Sequence, residues 1–116
     1  MTPYDTLRRE SLSGRALERE VLARAAARLE SPGDAPGALE RAVEANRQLW
    51  MALAADLALP ANACPPALKA GLISLAAYVE RASGAALRGE GGTRALVEIN
   101  RNVAAGLVDA PRAEAA

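Results

Sequence analysis

Two stretches of this chain share the order Glu-x-Asn-Arg: Glu44-Ala45-Asn46-Arg47 and Glu98-Ile99-Asn100-Arg101. In each, the amide sits among apolar residues at helical spacing. A side-chain amide on a core-facing stripe needs partners, because burying it unpaired costs about 1–3 kcal/mol. Asn46 and Asn100 therefore read in one of two ways. They pair across facing helices as an internal brace, or they contact a partner. Arg47 and Arg101 follow them and point outward, where a guanidinium fork can meet carboxylates or backbone carbonyls.

A second group of residues offers binding rather than catalysis. Leu49, Trp50, Met51 and Leu53 lie close together, as do Leu72, Ile73 and Leu75, with Tyr78 one turn further. Tryptophan is a frequent interface anchor, and a neighbouring methionine adapts to varied partner side chains. The competing reading is that these residues make the core, which is the commoner fate of an apolar stripe.

Catalytic chemistry has little to work with. The chain has no histidine, so hydrolase triads and most metal sites are out of reach. Cys64, the only cysteine, has no histidine to activate it and sits in the loop-like Ala63-Cys64-Pro65-Pro66. Gly89-Glu90-Gly91-Gly92 reads as a turn, not a phosphate loop. The carboxylates are scattered, mostly near arginines. The expectation is a non-enzyme with no cofactor and no metal.

Four helical segments must position these residues. The first spans about 13–29, with Ser13 as cap and a stripe of Leu17, Val21, Ala25 and Leu29, widened by Leu22 and Ala26. Ser31-Pro32-Gly33-Asp34-Ala35-Pro36-Gly37 turns the chain, and Asp34 is the expected cap of a second helix over 36–59 with Pro36 in its first turn. Its stripe is Leu39, Ala42/Val43, Asn46, Leu49/Trp50, Leu53 and Leu57. Between Leu49 and Leu59 its single charge is Asp56, so a wide apolar surface must be central or cover a groove. The third helix starts near Pro66 and carries Leu68, Leu72, Leu75, Val79 and Ala82 at alternating four- and three-residue spacing. It is expected to pass through Gly84 to Leu87 or Arg88. Thr93 is the expected cap of a fourth helix with Leu96, Ile99/Asn100, Val103 and Leu107 inward. Gly106 there permits either close approach or termination.

The fold expected from this pattern is all-α: a compact bundle of four main helices, mostly antiparallel, in a single domain over 1–116. Residues 1–12 are a short polar lead and 109–116 a flexible tail. Only 3% of the 116 residues are aromatic, and much of the 51% hydrophobic fraction is alanine, which favours closely packed helices over sheets. Fourteen basic and fourteen acidic residues balance, so the basic excess of a typical nucleic-acid binder is missing. No signal-peptide core and no apolar run of about 20 residues is present, so the expected protein is soluble and cytoplasmic, with no membrane partner.

Four blocks in order resemble the FlaF family of flagellar biosynthesis regulators. They are Asn46-Arg47-Gln48-Leu49-Trp50; Leu68-Lys69-Ala70-Gly71-Leu72-Ile73-Ser74-Leu75; Tyr78-Val79-Glu80-Arg81; and Glu98 through Leu107. The first helix, Glu20 to Glu30, is also similar. The resemblance covers roughly residues 4–107. Ser13-Gly14-Arg15-Ala16 departs from it by lacking the family's proline and capping-box acid. The segment after Trp50 is also richer in alanine than the family's pattern.

The resemblance implies a small protein needed for flagellin synthesis and secretion, acting with the opposing regulator FlbT. An export chaperone that receives an amphipathic terminal helix of flagellin fits both the resemblance and the apolar surface. The partner-binding residues are then Asn46, Arg47, Leu49, Trp50, Met51, Leu53, Leu72, Ile73, Leu75, Tyr78, Asn100 and Arg101. Two alternatives remain. One is a regulator of flagellin mRNA translation using Arg47, Arg81, Arg88 and Arg101 as a basic face. The other is a dimerising structural module.

Overall fold

Four helices, with no strand among the described residues, account for nearly all of the regular structure in the computed structural model, which describes residues 19–109. Helix α1 occupies 19–30, α2 Ala38–Leu57, α3 Pro66–Leu87 and α4 Thr93–Asp109. The proposed Ser13 cap, Leu17, the polar lead and most of the tail lie outside the described residues.

On α1 the buried residues are Leu22, Ala26 and Leu29. Val21 and Ala25 flank them and are only half-buried. The core-facing line thus lies within the expected face, shifted toward Leu22 and Ala26, the residues expected to widen it.

Helix α2 begins later than its sequence suggests. Neither Asp34 nor Pro36 forms its first turn; Gly37 precedes it with φ 75°, a left-handed conformation that glycine adopts without strain. Arg41 Nη1 donates to the Pro36 carbonyl at 3.0 Å across this entry. In the first turn Ala38 is buried and Leu39 is exposed. The helix ends at Leu57, and Leu59 lies outside it, exposed.

Asn62 organises the connector to α3. Its amide donates to Asp56 Oδ2 at 2.9 Å, its side-chain oxygen accepts from the Cys64 N–H at 2.8 Å, and its carbonyl accepts from Lys69 Nζ at 3.3 Å. Pro66 then opens α3 at a position where a missing N–H is tolerated.

Helix α3 runs through Gly84 to Leu87, as the spacing of Ala86 and Leu87 indicates. It ends in a Schellman arrangement. Glu90 N–H bonds back to the Ala85 carbonyl and Gly89 N–H to that of Ala86, with Gly89 left-handed at φ 75°. Among the described glycines, Gly92 makes the closest approach. Its φ is 100°, and a Cβ there would meet the Ala82 carbonyl oxygen at 2.8 Å. This contact seats the start of α4 against α3. The residue preceding α4 is therefore Gly92, whose carbonyl accepts from Leu96 N–H, and Thr93 is the first helical residue instead of the cap. Gly106 neither ends α4 nor makes a close approach among the described residues.

Helices α2 and α3 are antiparallel, since Arg47 meets Glu80 while Met51 and Ala54 share a cleft with Ile73 and Ala77. Side chains from all four helices form one core, including Leu22, Ala26, Val43, Trp50, Leu72, Val79 and Leu96. Burial of such side chains stabilises the fold by about 1.5–3 kcal/mol for each large one.

Candidate functional site

The two amides meet inside the bundle. Asn100 Nδ2 donates to Asn46 Oδ1 at 2.6 Å and to the Leu22 carbonyl at 3.3 Å, while Asn100 Oδ1 accepts from Trp50 Nε1 at 2.9 Å. All three side chains are buried. The polarity of this chain is forced from one end. An indole N–H can only donate, so the Asn100 oxygen must face Trp50. The Asn100 amide nitrogen must then face Asn46, whose oxygen accepts. Asn46 Nδ2 is left over and has no partner among the described residues, as is true of buried Ser83 Oγ. The chain ties α1, α2 and α4 together and fixes their register, the role that a buried amide has in helix pairing.

This geometry buries four of the residues expected to bind a partner. Asn46, Asn100 and Leu72 are interior, so a partner cannot reach them without opening the fold, and Trp50 is buried except where its ring borders the cleft described below. Arg101 is exposed but remote from the apolar surface, paired with Glu30 on α1. Leu49, Leu53 and Leu75 are half-buried against the core. Met51, Ile73 and Tyr78 are exposed, at 51%, 38% and 42% of their areas.

Two of the exposed large hydrophobics, Met51 and Ile73, lie where α2 and α3 run side by side. Met51, Ala54, Ile73, Ala76 and Ala77 line an open cleft of about 280 Å³ whose floor is the Trp50 ring and Val79. Alanines at three of these positions are what hollow it out, because a larger side chain would fill the groove between the helices. Arg47 and Glu80 stand at one end. Tyr78 lies on a neighbouring face of α3, with the Arg81 guanidinium 5.7 Å from its ring centre.

The charged end is a cluster of one cation and two anions. Arg47 Nε and Nη2 donate to Glu44 at 3.0 and 2.9 Å, a two-pronged pairing. Arg47 Nη1 reaches across to both Glu80 oxygens at 3.2 and 3.1 Å and to Met51 Sδ at 3.2 Å. Gln48 Nε2 also donates to Glu44, at 2.9 Å. Hydrogen bonds from Arg47, then from Gln48, hold the Glu44 carboxyl down to about 2. The same carboxylate pairing raises the Arg47 guanidinium above its ordinary value.

Glu80 and the three cleft alanines are functional candidates that the sequence reading did not single out. Glu80 lies in the Tyr78-Val79-Glu80-Arg81 block, and its relation to Arg47 appears only once α2 and α3 are paired. Among the described residues, no group of three or more Cys, Asp or Glu side chains is placed to hold a metal ion. No described helix is long and apolar enough to cross a membrane.

Compared with known protein families, the chain matches the FlaF family, flagellar protein FlaF, over residues 1–107 of its 116. No curated protein matches it significantly, and no solved structure does. The family match takes in α1, α2, α3 and most of α4, including both the amide chain and the cleft. The chain belongs to the FlaF family of flagellar proteins.

Proposed function

We propose that this protein binds flagellin in the cytoplasm, as an export chaperone through which flagellin production is regulated, and that the α2–α3 cleft receives an amphipathic helix of flagellin. The observation that carries this reading is the exposed apolar cleft itself. Met51 and Ile73 stand in water on either side of an alanine-lined groove in a member of a flagellar family. Between Arg47 and Ala54 the groove runs about 10 Å along α2, or two helical turns. That length suits anchors at i, i+3 or i+4, and i+7 of a partner helix. Its volume falls just below the ~300–1,000 Å³ usual for small-molecule sites, and it is open along one side.

An mRNA-binding role alongside FlbT draws less support from the surface. Arg47, Arg88 and Arg101 each hold a carboxylate already, and Arg81 lies against Tyr78. These four arginines therefore leave little free cationic surface of their own to neutralise phosphates.

Calorimetric titration with monomeric flagellin tests the proposal. The wild-type protein should bind, and Ile73→Asp should lose binding while remaining folded. A folded wild-type protein that fails to bind flagellin would overturn the reading.

A further inference from the structure

We propose that the occupant of the α2–α3 cleft is an amphipathic helix bearing a lysine or arginine at the end of its apolar face, and that Glu80 accepts this cation. The inference rests on the cleft being the partner site. It starts from an imbalance of charge at the cleft's polar end. Glu44 and Glu80 bring two negative charges and Arg47 one positive charge, so the cluster carries a net formal charge of −1. Of the three, Arg47 and Glu80 line the cleft, while Glu44 holds Arg47 from outside its lining.

The two carboxylates are not equally occupied. Glu44 receives two donors from Arg47 and a third from Gln48, which uses most of its acceptor capacity. Glu80 receives only Arg47 Nη1, shared between both of its oxygens. A carboxylate has about four lone-pair directions, so Glu80 retains room for further donors. Its side chain is 53% exposed, and it lines the cleft. Arg47, in contrast, already spends its Nε and both terminal nitrogens on Glu44, Glu80 and Met51. An incoming anion would meet a nearly satisfied cation, with one N–H left on Nη2, and the charge of Glu80 beside it. An incoming cation would meet the free acceptor directions of Glu80.

The same charge argues against a second copy of this chain as occupant. A two-fold cleft-to-cleft dimer is self-complementary, so it would bring two acidic clusters to one interface. Neither copy brings an unpaired cation in its cleft lining for the other's Glu80. A basic amphipathic helix supplies both the apolar anchors for Met51, Ile73 and the alanines and the missing positive charge.

The experiment compares wild type, Glu80→Gln and Ile73→Asp by titration with monomeric flagellin, each variant's fold being checked by its unfolding curve. Glu80→Gln keeps an acceptor for Arg47 but removes the excess charge. It should weaken binding about fivefold at low salt, with the difference closing as salt is raised. A lysine or arginine to glutamine change in one flagellin helix should reproduce that loss, and combining the two changes should add nothing. If Ile73→Asp abolishes binding while Glu80→Gln binds as tightly as wild type, the cleft stands and the basic contact is wrong. If Ile73→Asp binds normally, both fall.

Two designed amphipathic peptides, identical except for lysine or glutamate at the end of the apolar face, read the preference independently of flagellin. The lysine peptide should bind more tightly, by about fivefold or more at low salt. Equal or reversed affinities would overturn the proposal. So would sedimentation showing a dimer that Ile73→Asp dissociates, which would give the cleft to a second copy.

Discussion

Neighbouring residues on α2 do opposite work. Asn46 and Trp50, one turn apart, point into the bundle and complete the hydrogen-bonded chain to Asn100. Arg47 and Met51, each one residue later, point outward and frame the cleft with Glu80 and Ile73. A rotation of 100° separates a buried, directional polar network from a wet and adaptable surface. The inner pair is held by partners whose polarity is fixed. The outer pair is held by charges that solvent screens and by a thioether that tolerates change. Trp50 joins the two, since its N–H belongs to the network while its ring forms part of the cleft floor. Damage to the inner residues should therefore appear as lost stability. Damage to the outer ones should appear as lost binding.

The largest effect expected is from Trp50→Ala, which removes a buried ring and the donor to Asn100. It should destabilise the protein by about 4 kcal/mol in urea unfolding. Asn100→Ala comes next, at about 3 kcal/mol, because it strands the Trp50 N–H and the Asn46 oxygen together. Asn46→Ala should be milder by at least ~1 kcal/mol, since it also removes a buried donor that already lacks a partner. Equal costs for the two asparagines would break the directional account of the network.

Glycine substitutions probe the frame that holds the two faces. Gly92→Ala meets both a left-handed backbone and the Ala82 carbonyl, and should cost about 2 kcal/mol. Gly71→Ala, inside α3 with open space around it, should stabilise by about 0.8 kcal/mol. Both are read from the midpoint of denaturant unfolding. On the outer face, Ile73→Asp should change stability by less than about 1 kcal/mol. A large loss of stability there would mean that Ile73 belongs with the core.

The smallest effect expected is a pH dependence from Glu44. Its carboxyl is held at about 2, below the ordinary 4.5, so it binds protons less readily when folded than when unfolded. Its contribution is fully present above about 4.5 and is lost as pH falls toward 2. Because the group is well exposed, the contribution is small and sensitive to salt. The stability difference between wild type and Glu44→Gln should therefore be largest near neutral pH and shrink through this window. A difference that grew on acidification would contradict the sign.

Much of the fold was legible from spacing alone. The four helices, the passage of α3 through Gly84 and the apolar lines of α3 and α4 follow from periodicity, which is local. The pairing of Asn46 with Asn100 was one of two readings, because an amide on an apolar stripe needs a partner but does not say which. Helix starts were less legible. Asp34 and Thr93 have good capping side chains, yet left-handed glycines at 37 and 92 sit before α2 and α4. Tertiary contact with Ala82 decides the second of these, and no local preference encodes it. The phase of α2 is the expected one from Ala42 to Leu57, and only its first turn differs, with Ala38 buried and Leu39 exposed. The candidate site was half legible. Met51 and Ile73 were marked as apolar and available, whereas Trp50 and Leu72 carried the same signal and proved interior. Hydrophobicity does not distinguish a groove's lining from its floor. Glu80 needed the antiparallel pairing of α2 and α3 before its place beside Arg47 had any meaning.

The central claim is that the outer face of α2 and α3 receives flagellin while the inner face only builds the fold. Its most direct measurement is the affinity of monomeric flagellin for wild type and for Met51→Glu, taken beside their unfolding curves. The account predicts superimposable unfolding and a loss of affinity of tenfold or more, roughly 1.4 kcal/mol. Unchanged affinity with both proteins folded, or no binding by the wild type, would contradict it.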